Sequence, residues 1–422
     1  MTIAPTHAAL TAAAGSFGRA VALSCRECGE RADLGPAYVC ESCFGPLEVA
    51  YDFGTVTRAD IERGPNSLWR YAPLLPVPAD VAERPNLNPG GTRLVRAENL
   101  GRELGLRDLY VKDDSGNPTH SFKDRVVAIA LEAARSFGFT TLSCSSTGNL
   151  AGAVSAAAAR AGLDSCVFIP AGLESGKVVM AAIYGGRVIA IDGTYDDVNR
   201  FCSELIGDEI GEGWGFVNVN LRPYYAEGSK TLAYEIAEQL GWRLPEQIVI
   251  PVASGSQLTK IDKGFKELIA LGLVEDRRYR IFGAQAAGCS PISAAFKAGH
   301  DVVKPVRPDT IAKSLAIGNP ADGPYVLDAA RRTGGAVEDV DDAAVLAAMR
   351  LLARTEGVFA ETAGGVVVGV LRKLVENGVL DPGATTVVIN SGDGLKTLEA
   401  VADVDVTATI KPSLAAFRAA AG

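Results

Sequence analysis

A chain of 422 residues with 48% hydrophobic and 22% charged residues is too long for one small core and too apolar for wholesale disorder, so it fits two medium domains plus an appendage. A net charge of -9 excludes nucleic acid as the main partner, because no basic face is left to neutralise a phosphate backbone. No apolar run approaches the ~18 residues needed to cross a bilayer, so no membrane partner is expected and any anionic ligand must be held by a local pocket.

The stretch 1–17 is rich in Ala and Thr and lacks a basic start followed by an apolar core, so it does not read as a secretory signal. Residues 1–20 are expected to form a flexible tail. Next come two CxxC pairs, Cys25 with Cys28 and Cys40 with Cys43, each pair followed by a glycine, Gly29 and Gly45, that permits a tight knuckle turn. This spacing predicts a small four-cysteine ribbon over 21–55 that could hold zinc. A structural staple is the plain reading; recruitment of DNA or a partner gains nothing from surroundings with as many acids as bases. Cys144, Cys166 and Cys202 lie in apolar stretches and Cys289 among small residues, the pattern of buried free thiols in a reduced, cytoplasmic protein. The proline-bearing stretch 65–91 reads as a wrapping linker.

From residue 109 strand and helix alternate. Strands are predicted at 109–111, 141–144, 166–169 and 188–191, with helices over 126–137, 150–161, 177–184 and 197–206. That is a run of four βα units. A second run starts with a strand at 248–252, continues through a helix at 258–270 and a strand at 280–283, and closes with a strand at 386–389. Two such runs imply two α/β domains with mainly parallel sheets and a ligand cleft at the carboxyl ends of the strands.

Four polar turns carry the chemistry. Lys123, in Ser121-Phe122-Lys123-Asp124-Arg125, opens the first strong helix, where the positive end of the helix dipole disfavours its protonated form; burial adds to that effect and suits a Schiff-base lysine. A lone lysine at a helix start is usually an exposed charge, and its neighbours change that reading. Ser145-Ser146-Thr147-Gly148-Asn149 follows the next strand and offers hydroxyls and free N–H groups to a carboxylate or phosphate, beyond what simple N-capping needs. Ala253-Ser254-Gly255-Ser256-Gln257 repeats the design in the second domain, a nest that can hold a phosphate by backbone alone. Asn390-Ser391-Gly392-Asp393-Gly394-Leu395-Lys396 ends the last strand.

These segments, with the cysteine ribbon, NVNLRPYYAEGSKTLAYE and ETAGG, resemble over essentially the whole chain the threonine synthase family of fold-type II pyridoxal-phosphate enzymes. The resemblance implies a tryptophan synthase β-like pair of doubly wound domains, a large one from 56–110 and 225–422 and a small one from 111–224. It implies conversion of O-phospho-L-homoserine and water to L-threonine and phosphate, by γ-elimination and then β-hydration. Lys123 would carry pyridoxal 5'-phosphate and shuttle protons. Asn149 would meet the phenolic oxygen, Ser254, Gly255, Ser256, Gln257 and Leu258 would cradle the cofactor phosphate, and Ser391 would face the pyridine nitrogen. A neutral hydroxyl there leaves the ring a weaker electron sink, which favours elimination over transamination or racemisation. Ser146, Thr147 and Gly148 would receive the substrate carboxylate. For the leaving phosphate the candidates are Asn220, Arg222 and Lys230, Arg222 by a bidentate fork. The sequence departs from the family at Leu150, where many relatives have a threonine able to reach the substrate. His120 reads as a loop-packing residue, and His7 and His300 as superficial. The partner is a small phosphorylated amino acid, and a homodimer is the prior for a cytosolic enzyme. A threonine or serine dehydratase, or an O-phosphoserine β-replacement enzyme, would share Lys123, Asn149 and the nest. A catalytically silent homologue or a ribbon-based binding protein is opposed by the lysine and by the acidic charge.

Overall fold

The computed structural model describes residues 16–146 and 148–421. Most of the expected tail, His7 and Thr147 lie outside the described residues. The tail does not extend to residue 20 as expected. Phe17 is buried, its ring stacked 4.9 Å from that of Tyr224, and Ala20 already belongs to a strand. Burial of one aromatic side chain is enough to anchor the segment.

The ribbon is a three-stranded antiparallel sheet in which Ala20–Cys25 lies between Arg31–Ala32 and Leu47–Tyr51. The stretch 65–91 follows as a wrapping segment of short turns, pinned by buried Leu68, Trp69, Tyr71 and Leu74.

Two larger sheets make the body. The first has six strands in the order Ala336–Val340, Arg280–Ala286, Gln247–Pro251, Thr386–Asn390, Leu109–Asp113, Arg93–Arg96, all parallel except the last. Its two faces feed two cores: Ile248, Ile281 and Val387 point to one, Val249, Phe282 and Val388 to the other. Burial on both faces is why these strands read as unbroken apolar runs rather than alternating ones. The second sheet is all parallel, in the order Arg187–Ile191, Asp164–Pro170, Thr141–Ser145, Trp214–Phe216.

The expected run of four βα units is therefore divided. The strand Leu109–Asp113 does not join the three that follow it; it pairs with Thr386–Asn390, Val111 opposite Val388, and the Asn390 amide donates to Asp113 at 2.9 Å. The chain crosses between lobes after this strand, so the expected start of the small domain at 111 falls inside a strand of the large sheet. The strand Ala336–Val340 escaped prediction because it is an edge, with Glu338 and Asp339 in its middle and only Val337 and Val340 buried.

One buried ionic cluster ties the crossing together. The fully buried guanidinium of Arg125 reaches Asp114 at 2.7 Å and Glu235 at 2.6 Å, and Lys112 Nζ reaches the other oxygen of Glu235 at 2.6 Å. Arg125 sits two residues beyond Lys123 in the helix Lys123–Ser136, so this cluster fixes where that helix begins.

Candidate active site

The polar turns converge where the strands end. Lys123, Ser146, Asn149, Ser254, Gly255, Ser256, Gln257 and Ser391 line one cavity between the two larger sheets. Each turn follows a strand at its carboxyl edge, where an open α/β sheet leaves backbone N–H groups facing the crevice.

The turn before Lys123 is stitched to the turn after Asn390. Phe122 N–H donates to the Ser391 carbonyl at 3.0 Å, and Ser121 pairs with Gly392. Lys123 Nζ lies 3.0 Å from the Tyr225 hydroxyl and 4.6 Å from the centre of the Phe122 ring. Burial brings its ammonium down to about 8, against the smaller opposing pull of Tyr225's neighbour Tyr195, Cys144 and Glu361. A poised amine results, as expected from the sequence.

Ser146 Oγ accepts from the N–H groups of Gly148 and Ala151, both at 2.9 Å, and so caps the helix Asn149–Ala161. Gly148 has φ +122, and a Cβ there would run into the buried stem of Lys177. Asn149 Nδ2 faces both oxygens of Glu361, at 3.0 and 2.9 Å, while its Oδ1 is buried without a partner. In the second nest Gly255 has φ +103, and an added Cβ would come within 2.6 Å of Val326 Cγ2; only glycine lets the backbone turn its N–H groups inward here. Gln257 Nε2 is likewise buried and unpartnered. Leu258 packs into the core behind the nest and sends no side chain into the cavity.

The three candidates for the leaving phosphate part company. Arg222 lines the cavity, one guanidinium nitrogen 2.8 Å from Asp322. Asn220 instead closes the turn after Trp214–Phe216, accepting from Phe216 N–H at 2.8 Å and donating to the Trp214 carbonyl. Lys230 is wholly buried between Glu227 at 2.6 Å and Glu267 at 2.9 Å, and does not line the cavity. Leu150 does line it. His120 is exposed, its carbonyl accepting from Asp393 N–H.

Sequence reasoning passed over Glu361 and Tyr225 as individuals, although both lie in segments it quoted. Glu361 is 1% exposed, at the N-terminus of the helix Thr362–Glu376; an acid before Thr-Ala-Gly-Gly was the available signal. Tyr225 follows Tyr224 on a short helix, and no local pattern says which ring faces the cavity. Tyr195, Asn199 and Asn218 add further polar lining; Asn218 opens the quoted segment NVNLRPYYAEGSKTLAYE, while Tyr195 and Asn199 had no signal.

The cavity fits pyridoxal phosphate. It pairs a poised lysine amine with a glycine-opened nest of the kind that holds a phosphate, and it contains two buried polar atoms, Asn149 Oδ1 and Gln257 Nε2, that lack partners within the chain.

The matching family model is described as pyridoxal-phosphate dependent enzyme and spans residues 86–392. Threonine synthase of Methanocaldococcus jannaschii is 37% identical over 379 residues, covering 88% of this chain and 92% of the relative. That of Methanosarcina acetivorans is 38% identical over 392 residues, covering 90% and 94%. This chain belongs to the threonine synthase family. As a member of the threonine synthase family it is a pyridoxal-phosphate-dependent lyase. Threonine synthase of Mycobacterium tuberculosis, 35% identical over 337 residues and covering 79% and 89% of the two chains, extends the likeness to bacteria. Maize serine racemase matches with a TM-score of 0.60 at 22% identity, over 74% of this chain and 91% of that one; a Rhizomucor miehei L-serine ammonia-lyase matches with 0.60 at 21% identity, over 72% and 93%. These two establish the fold alone.

Away from the cavity, the thiols of Cys25, Cys28, Cys40 and Cys43 lie within 4.8 Å of one another, with Cys25–Cys43 at 3.4 Å and Cys28–Cys40 at 3.7 Å. Tetrahedral zinc, with Zn–S bonds of about 2.3 Å, separates its sulfurs by roughly 3.8 Å, so the donor set fits that ion. A Cβ on Gly45 would sit 2.9 Å from Cys25 Sγ, which explains the glycine after the second pair.

Proposed function

We propose that this chain converts O-phospho-L-homoserine and water to L-threonine and phosphate. The observation that carries the reading is that one poised amine, Lys123, shares a cavity with a phosphate nest at 254–257 and with an arginine, Arg222. One nest serves the cofactor phosphate; a second cationic group suits a substrate that brings a phosphate of its own.

Bound pyridoxal phosphate supplies an electron sink for the charge left when protons leave substrate carbon. The chain's residues do the rest. Ser254, Gly255, Ser256 and Gln257 hold the cofactor phosphate, with Leu258 N–H adding a backbone donor. Asn149, kept in place by Glu361, meets the phenolic oxygen, and Ser391 meets the pyridine nitrogen with a neutral hydroxyl. Ser146, Thr147 and Gly148 take the substrate carboxylate at the start of the helix Asn149–Ala161. Lys123 Nζ removes the Cα proton and gives it up towards the leaving phosphate, takes a proton from Cβ as that phosphate departs, and returns it to Cγ afterwards; as water adds at Cβ, it takes the water proton and delivers it to Cα. Tyr225 orients the free amine between transfers. Arg222 neutralises the leaving phosphate; Asn220 and Lys230 act on it only through the backbone segment they pin.

We assign 20–55 to the ribbon with a zinc ion on its four cysteines, and the described residues from 56 onward to two lobes, with 109–113 in the large one. Among the described residues no helix is long and apolar enough to cross a membrane, and the free cysteines support a reduced, cytoplasmic setting. A homodimer is the assembly we expect.

The test is a product assay. O-phospho-L-homoserine should yield equal amounts of phosphate and L-threonine. Keto acid from L-threonine, with no phosphate released from phosphohomoserine, would favour a dehydratase instead.

A further inference from the structure

The ribbon is wired to the phosphate side of the cavity through one carboxylate. Arg26 lies inside the first cysteine knuckle, and its backbone N–H donates to the Pro46 carbonyl at 3.0 Å. Its guanidinium stacks 3.5 Å over the ring of Tyr325 and comes within 3.6 Å of Asp322 Oδ1 and 3.4 Å of Glu48. Tyr325 in turn donates its hydroxyl to Glu27, the next knuckle residue. The other oxygen of Asp322, Oδ2, takes Arg222 at 2.8 Å, and the Asp322 N–H donates to the Ser254 carbonyl at 2.9 Å. Asp322 is thus shared by an arginine of the knuckle and an arginine of the cavity, and it abuts the nest as well.

We propose that Arg26 is a positioning residue for Arg222, held in place by a zinc ion on Cys25, Cys28, Cys40 and Cys43. The inference rests on the reading of Arg222 as the group that meets the substrate phosphate. The physical reason is charge sharing. A carboxylate serving two guanidinium groups neutralises neither fully, so Arg222 keeps positive charge and free donors for an incoming phosphate. Without Arg26, Asp322 is free to grip Arg222 with both oxygens, which turns the fork away from the cavity and cancels its charge. The knuckle backbone determines where Arg26 starts, and the metal determines the knuckle.

Kinetics on the holoenzyme, with zinc content measured alongside, test this. Arg26→Ala should keep its zinc and its cofactor absorbance. It should raise the KM for O-phospho-L-homoserine and the inhibition constant of inorganic phosphate together, by about 5- to 20-fold, with kcat within about 2-fold. Arg26→Lys should recover part of the loss. Cys28→Ser with Cys43→Ser should lower the zinc content and reproduce the rise in KM. In an Arg222→Gln background, Arg26→Ala should add nothing further. An Arg222→Gln protein with unaltered KM and phosphate inhibition overturns the reading on which the inference rests. A strong Arg222→Gln effect beside an inert Arg26→Ala overturns the inference alone, as does a full Arg26→Ala effect that persists without Arg222.

Discussion

The Tyr225 hydroxyl stands 3.0 Å from Lys123 Nζ, although the two residues lie on different helices and far apart in the chain. Both side chains line the same cavity, and burial keeps the phenol protonated, holding Tyr225 above the ordinary tyrosine value. A neutral hydroxyl can donate to the free amine, and it can accept from the ammonium after each proton transfer. Tyr225→Phe should therefore keep the cofactor absorbance while kcat falls on the order of 10- to 100-fold, the range of a lost contact to a general base. A variant within about 2-fold of the parent kcat would remove Tyr225 from the proton path.

Burial of Lys123 has a consequence for cofactor loading. An ordinary lysine at 10.5 is neutral in roughly 1 part in 300 at pH 8, whereas a group at about 8 is half neutral there. Only the neutral amine attacks the cofactor aldehyde. The rate of reconstitution of the apoenzyme with pyridoxal phosphate should rise with pH up to about 8 and then level. The same depression means that folding stability is lowest below the folded value and recovers as pH rises towards the unfolded one, because ionising this buried amine costs the folded state. A loading rate that climbs tenfold per pH unit to pH 10 would show that the lysine is not desolvated.

What the sequence disclosed follows from what is local. Turns such as 145–149 and 254–257 announce themselves because small polar residues after an apolar strand have few structural uses, and the four cysteines do so by spacing. The strand Leu109–Asp113 was recognised as a strand but counted in the first run of βα units, with a domain boundary cut through it at 111, since its partner, Thr386–Asn390, is distant in sequence and periodicity carries no pairing information. Lys230 and Asn220 looked like ligands because both are polar and near a promising arginine; Lys230 is instead consumed by Glu227 and Glu267, and Asn220 by the turn it closes. Glu361 and Tyr225 lay in quoted segments but were passed over as site residues because each meets a partner from another lobe or helix, Asn149 and Lys123 respectively.

The nest depends on a glycine with no room for change. At Gly255 φ is +103, and an added Cβ would lie 2.6 Å from Val326 Cγ2 and 3.0 Å from Asp322 Cβ. Gly255→Ala must either strain the backbone, at about 1–3 kcal/mol, or open the turn and swing its N–H groups off the phosphate. The dissociation constant for pyridoxal phosphate should rise by roughly 5- to 150-fold, read by titrating the apoenzyme. The melting temperature of the apoenzyme should change far less if the turn opens. Unchanged cofactor affinity would mean the phosphate is held elsewhere.

Glu235 decides whether the helix carrying Lys123 stays in register. It is buried between Arg125 at 2.6 Å and Lys112 at 2.6 Å, and despite the opposing effect of burial these two cations hold its carboxyl well below the usual range. Removing the carboxylate leaves two buried cations with Asp114 alone, and losing one member of such a group typically costs about 3–5 kcal/mol. Glu235→Gln should lower the urea midpoint of the holoenzyme at pH 7 accordingly. The sign with pH follows from the depressed value: the stabilisation is complete above the unfolded carboxyl value near 4.3 and declines as pH falls below it, by about 1.4 kcal/mol per unit. The deficit of Glu235→Gln relative to the parent should therefore shrink between pH 5 and pH 3. The Lys123 absorbance band should also broaden or fall in the variant at pH 7, since Arg125 is two residues from that lysine. A deficit that is the same at pH 7 and pH 3 would show that the cluster does not hold Glu235 ionised, and that some other contact sets where the helix begins.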